Sequence, residues 1–125
     1  MAIQEPDYVW MDGKYINWKD ANVPILTHAM HYGTAVFEGI RAYPSKDNLG
    51  VFRLKEHISR LSESCKILPL EHKYSESELE QNILELLRKN QLKRSSYIRP
   101  LVYVGYGGIG LNFTGFPVNV SITAF

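Results

Sequence analysis

The sequence predicts an α+β domain, an antiparallel sheet with helices packed on one face. Three observations lead there. Hairpin-like strand pairs come before two amphipathic helical stretches instead of alternating with them, and two more β-rich segments follow. Strands and helices segregated in this way favour an antiparallel sheet over a doubly wound parallel one. The chain has 125 residues, 45% of them hydrophobic, which is enough for a single core and sets one compact domain as the expectation.

The first hairpin runs from Tyr8 to Asn17, where Tyr-Val-Trp-Met and Lys-Tyr-Ile-Asn flank Asp12-Gly13, a pair that accepts the positive φ angles of a type I′ turn. From Val23 to Gly39 the pattern carries little information: strand alternation is poor, and only a short helical pattern appears near the middle. Ile40–Tyr43 and Leu49–Arg53 read as a second hairpin, joined across Pro44-Ser45-Lys46-Asp47-Asn48. Leu54, Ile58, Leu61, Cys65 and Leu68 then recur at steps of four and three and line one helix face, with Pro69 as the stop. A second helix starts at Ser75, where Glu78 completes a capping box and Leu79, Ile83, Leu86 and Leu87 share a face. Glu85 and Lys89 stand at the spacing of a helical ion pair. Tyr97–Val104 and Pro117–Phe125 are rich in Val, Ile and Tyr and read as strands linked by the glycine-bearing loop Gly105–Gly115. The last strand still alternates at Phe125, where the sequence stops without a turn or cap. This suggests a piece of a longer protein.

Composition excludes several classes. Fourteen Lys and Arg against thirteen Asp and Glu leave a net charge of +1, too little to steer a polyanion, so nucleic acid is not an expected partner. Cys65 is the one cysteine, which forbids an intrachain disulfide and leaves no zinc-site spacing. No basic leader precedes an apolar run, and no stretch approaches ~18 consecutive apolar residues. A soluble, cytoplasmic protein without membrane contact is expected. Asn112-Phe113-Thr114 matches a glycosylation sequon by chance in such a setting.

Several residues could carry chemistry. Arg99 shares a strand face with Tyr97, Leu101 and Tyr103, and an arginine among apolar neighbours needs an anion: an internal carboxylate, water at an exposed face, or a substrate carboxylate. Arg60 lies beside the apolar stripe of the first helix, with His57 and Ser64 on the same flank. It is either a solvated surface arginine or a fork for phosphate oxygens. Gly105-Tyr106-Gly107-Gly108-Ile109-Gly110 formally matches G-x-G-x-x-G after a strand. No helical periodicity follows, so no helix N-terminus is available for a pyrophosphate. A mobile loop that keeps Ile109 and Leu111 available for binding is the better reading. His28 and His31, with Glu38, lack a third ligand at a suggestive spacing and read as ordinary hydrogen-bonded residues, not a metal site.

The run His31-Tyr32-Gly33-Thr34-Ala35-Val36-Phe37-Glu38-Gly39-Ile40-Arg41 resembles the signature of branched-chain amino-acid aminotransferases, pyridoxal-phosphate enzymes of fold type IV. Trp18-Lys19-Asp20-Ala21, Phe52-Arg53 through Glu56-His57-Ile58-Ser59-Arg60-Leu61, and Tyr97-Ile98-Arg99-Pro100-Leu101 fall in the family's order. Together the pieces span roughly residues 7 to 125. D-amino-acid transaminases and aminodeoxychorismate lyases share the fold but differ where Phe37-Glu38-Gly39-Ile40-Arg41 stands here.

The resemblance implies the N-terminal small domain of such an enzyme, over residues 1–125. The lysine that binds the cofactor would lie in a large C-terminal domain beyond Phe125. None of the chain's own lysines sits in that motif, so this domain by itself is expected to be inactive. The implied reaction is reversible ping-pong exchange of an amino group between leucine, isoleucine or valine and 2-oxoglutarate, with pyridoxal 5'-phosphate as cofactor. On the same grounds Arg60 would hold the cofactor phosphate, and Phe37, Gly39 and Tyr97 would line the substrate pocket. Arg99 would take the side-chain carboxylate of glutamate. Tyr32, Ile109 and Leu111 would reach the neighbouring subunit's site, implying a homodimer or higher homo-oligomer. The alternatives are a non-catalytic interaction module and the small domain of a D-amino-acid transaminase.

Overall fold

Asp12 and Gly13 take φ angles of 48° and 93°, so the chain reverses in two residues and pairs β1 (Tyr8–Met11) with β2 (Lys14–Asn17), Met11 opposite Lys14. The Asp12 carboxylate also accepts the Val120 backbone N–H at 2.8 Å and Asn119 Nδ2 at 2.9 Å, which pins the turn to the far end of the chain. The structure is a computed structural model and describes residues 2–125.

After a short 3-10 turn at Trp18–Asp20 come α1 (His28–Tyr32), β3 (Ala35–Phe37), β4 (Ile40–Ser45), β5 (Asn48–Val51), α2 (Leu54–Ile67), α3 (Glu76–Lys89), β6 (Ser96–Val104) and β7 (Val118–Ala124). Among the described residues the strands form one seven-stranded sheet in the order β2-β1-β7-β6-β4-β5, with β3 on β6. Every pairing is antiparallel.

The expected α+β class holds, and the helices pack on one face. Ile58, Leu61 and Cys65 of α2 and Leu79, Ile83, Leu86 and Leu87 of α3 meet Ile40, Ala42, Ile98, Val102, Val120, Ile122 and Ala124 of the sheet in one buried cluster. These strand residues alternate along their chains, as the two-residue period requires of a face turned to the core. The Ser75–Glu78 capping box forms as expected, with bonds of 3.1 and 2.7 Å in the two directions.

Three local readings change. The second hairpin turns at Lys46-Asp47 alone, and Pro44 stays in β4 opposite Leu49. The proline is tolerated because β4 pairs with β6 only at Ile40–Ala42, so its missing N–H breaks no bond there. The segment Val23–Gly39, unreadable by pattern, holds both α1 and β3. Glu85 pairs with Arg88 at 3.5 Å instead of Lys89, whose ammonium lies 5.1 Å from the Tyr15 ring centre and 5.8 Å from that of Tyr8. The aromatic faces that α3 packs beside compete successfully for the cation.

Candidate active site

The site is built around the gap between β3 and β4. Both strands run along the same edge of β6: Phe37 stands opposite Leu101 and Ile40 opposite Ile98. The register is continuous across the gap, which sets Glu38 opposite Pro100 and Gly39 opposite Arg99. Pro100 has no N–H to donate, so the ladder is interrupted on that side, while the Glu38 N–H still donates to the Pro100 carbonyl at 3.1 Å. Alternation then sends Phe37 and Gly39 to one face of the sheet and Glu38 to the helix face with Ile40 and Ala42.

On the face away from the helices, Phe37, Gly39, Tyr97 and Arg99 come together. The Arg99 guanidinium stacks on the Phe37 ring, 4.1 Å from its centre, and Nη2 donates to the Tyr97 hydroxyl at 2.8 Å. Its Nε is buried with no partner, and no carboxylate pairs with this arginine among the described residues. Both ordinary readings of Arg99 therefore fail: it is neither internally ion-paired nor fully solvated. A buried donor left unpaired is unfavourable, and a charged one more so, so the guanidinium lacks a counter-anion among the described residues. Phe37 is 56% exposed beside it and offers an apolar wall. Gly39 is required by close approach, since a Cβ there would overlap the Tyr97 phenol. The Arg41 guanidinium also lies against the Tyr97 ring, 5.5 Å from its centre.

On the helix face, Arg60 is held by Glu38. Nε and Nη2 of the arginine donate to the two carboxylate oxygens at 2.7 and 2.8 Å, and His57 Nδ1 donates to Oε2 at 2.9 Å. The Arg60 hydrogen bonds are the main reason the Glu38 carboxyl is pulled below the usual carboxylate range. Burial opposes the shift and His57 adds to it. The Glu38 side chain is only 3% exposed, whereas that of Arg60 is 69% exposed. A guanidinium carries five N–H groups. Glu38 uses the Nε side, so the edge formed by Nη1 and Nη2 is left open to solvent, and its shape fits the oxygens of a phosphate.

Tyr32, Ile109 and Leu111 form a third group, around the loop after β6. Tyr32 stacks on His28 with ring centres 4.4 Å apart, and its hydroxyl accepts the Gly110 N–H at 3.0 Å. The fully buried His28 donates from Nε2 to the Gly110 carbonyl at 2.6 Å, and its Nδ1 accepts the Thr34 hydroxyl at 2.8 Å. The loop read as mobile from its glycines is thus tied to α1 on two sides. Ile109 and Leu111 project from it, 59% and 84% exposed. His31 Nε2 bonds separately to the Ile25 carbonyl at 2.8 Å, so the two histidines act as ordinary hydrogen-bonding residues. The loop continues into β7 with no intervening helix, as the failed dinucleotide context required.

Glu38 joins the candidate site although its local sequence pattern did not single it out for one. Its signal was present: a carboxylate in phase with the buried Ile40 and Ala42 needs a cationic partner, and Arg60 borders the stripe of the helix that covers them.

The Amino-transferase class IV family matches residues 35–125. The chain belongs to the class IV aminotransferases. It is 45% identical over 126 aligned residues to the branched-chain-amino-acid aminotransferase of Salmonella typhimurium, covering 100% of this chain and 40% of that protein. Among solved structures, the branched-chain amino acid aminotransferase from Escherichia coli superposes with a TM-score of 0.91 at 45% identity, over 96% of this chain and 41% of that one. The T.th. branched-chain amino acid aminotransferase complexed with N-(5'-phosphopyridoxyl)-L-glutamate superposes at 0.92 with 41% identity, over 97% of this chain and 40% of that one. The chain spans about 40% of the length of these relatives.

Proposed function

We propose that the chain is the N-terminal small domain of a pyridoxal 5'-phosphate-dependent transaminase that exchanges amino groups between leucine, isoleucine or valine and 2-oxoglutarate. The observation that carries this reading is Arg99: a guanidinium with a buried, unpaired Nε, stacked on Phe37 beside the close-packed Gly39 and Tyr97. Apolar Phe37 suits a branched side chain, and the Arg99 guanidinium, which no carboxylate neutralises among the described residues, suits the second carboxylate of glutamate, so one pocket serves both half-reactions. Arg60 presents its free edge to the cofactor phosphate. When bound, the cofactor supplies the electron sink for amino-group transfer. The task left to this chain is to bind and orient, since the lysine that attaches the cofactor belongs to a further domain.

Tyr32, Ile109 and Leu111 contribute to a neighbouring subunit's site in a homodimer or larger homo-oligomer, and the protein works in the cytoplasm. The exposed Ile25, Met30, Tyr106, Ile109 and Leu111 supply apolar surface for such a contact. Among the described residues no helix is long and apolar enough to cross a membrane. The relatives named above do not favour the D-amino-acid reading.

An absorbance titration with pyridoxal phosphate tests the reading, on this chain and on the full-length protein, followed by a leucine plus 2-oxoglutarate assay. The cofactor band and leucine turnover are expected in the full-length protein alone. Activity of this chain by itself would overturn the domain assignment, and turnover of D-leucine but not L-leucine would overturn the substrate assignment.

A further inference from the structure

The ion pair between Glu38 and Arg60 is unusual for an exposed helix arginine. Arginine side chains on a solvated helix flank sample many rotamers, and most exposed pairs hold them weakly. Here the acceptor is buried and hydrogen-bonded to two side chains of α2. Glu38 sits in the β3–β4 gap, its backbone N–H donates to Pro100, and its Oε2 is shared with His57, three residues before Arg60 on α2. A fixed carboxylate that accepts from both Nε and Nη2 sets the plane of the guanidinium as well as its position. Only the Nη1–Nη2 edge is then left to meet a ligand.

We propose that Glu38 is a positioning residue for cofactor binding. It locks Arg60 by its Nε side and so preorganises the opposite edge for the phosphate of pyridoxal phosphate, with His57 as the third point that keeps the carboxylate from rotating. The proposal rests on the reading of Arg60 as the phosphate ligand. It has a definite competitor, because an anion beside the arginine also repels a phosphate. Positioning predicts that loss of Glu38 weakens phosphate recognition, and repulsion predicts that it strengthens it.

The full-length protein is titrated with pyridoxal phosphate and with pyridoxal, which lacks the phosphate, and the ratio of the two dissociation constants is compared among variants. Glu38→Gln keeps the size and removes the second acceptor. Glu38→Asp keeps the charge but stops one methylene short of the fork, and it stands in if the glutamine variant does not fold. Both are expected to reduce the preference for the phosphorylated ligand on the order of tenfold, the scale at which supporting residues act on the groups they orient. Arg60→Ala should abolish most of the preference, and adding Glu38→Gln to it should change nothing further.

An unchanged or increased preference in Glu38→Gln and Glu38→Asp, with Arg60→Ala still losing it, overturns the positioning role alone. Equal weakening of both ligands would reduce Glu38 to a structural residue and overturn it as well. A preference that survives Arg60→Ala overturns the reading of Arg60 itself.

Discussion

At Gly39 the absence of one side-chain atom controls how the residues of the candidate site pack. Its missing Cβ is the space into which the Tyr97 phenol fits, and that phenol accepts from Arg99. Replacing Gly39 with alanine must push the ring away, which disturbs the hydrogen bond from Arg99 that helps hold the guanidinium over Phe37. In the full-length protein Gly39→Ala is expected to lower kcat/KM for leucine on the order of 100-fold, the scale of a 1 Å misplacement at a reacting centre. Steady-state kinetics, with circular dichroism to confirm the fold, checks this. An unchanged kcat/KM would show that the pocket can absorb the shift. Arg99 was visible in the sequence as a type of residue and Phe37 through the family resemblance, whereas their stacking was not, because it depends on the register between β3 and β6.

At the scale of elements, α2 and α3 stand on different supports. α3 is closed at its start by the reciprocal bonds of Ser75 and Glu78, while α2 begins after Arg53 in the left-handed region, with no side-chain cap. Ser75→Ala removes the acceptor for the Glu78 N–H and is expected to destabilise the protein by about 1 kcal/mol. For a domain of this size that lowers Tm by a few degrees, to be read by thermal denaturation. A neutral result would mean that packing of Leu79 and Ile83 alone holds the first turn. Legibility differed in the same way. The capping box and the apolar stripes of both helices are local signals and were readable. By contrast, α1 and β3 are only five and three residues long and are held by contacts with β6 and its loop, so no periodicity could reveal them.

For the whole molecule, the buried Glu38 links the site to acid stability. Its carboxyl titrates below its ordinary value of 4.5 in the folded protein, chiefly because Arg60 donates to it. A depressed folded value means that the group stabilises the fold above about pH 4.5 and that this contribution is lost as pH falls through the folded value. Urea denaturation at pH 6 and at pH 3.5 should therefore show the parent protein losing more stability than Glu38→Gln over that interval. Equal losses would place the acid sensitivity elsewhere.

The sequence by itself determined the α+β class, both long helices, the first hairpin and the strands around Arg99, since these follow from short-range periodicity and turn chemistry. Through the run from His31 to Arg41 and the pieces around it, it also pointed to the family. Only the tertiary structure decided that no carboxylate among the described residues would pair with Arg99 and that Glu38 would reach across to Arg60. It also decided that His28 would tie down the glycine loop. Each of those facts joins residues far apart in the chain, and such distances are settled by strand register and helix packing, which no local pattern encodes.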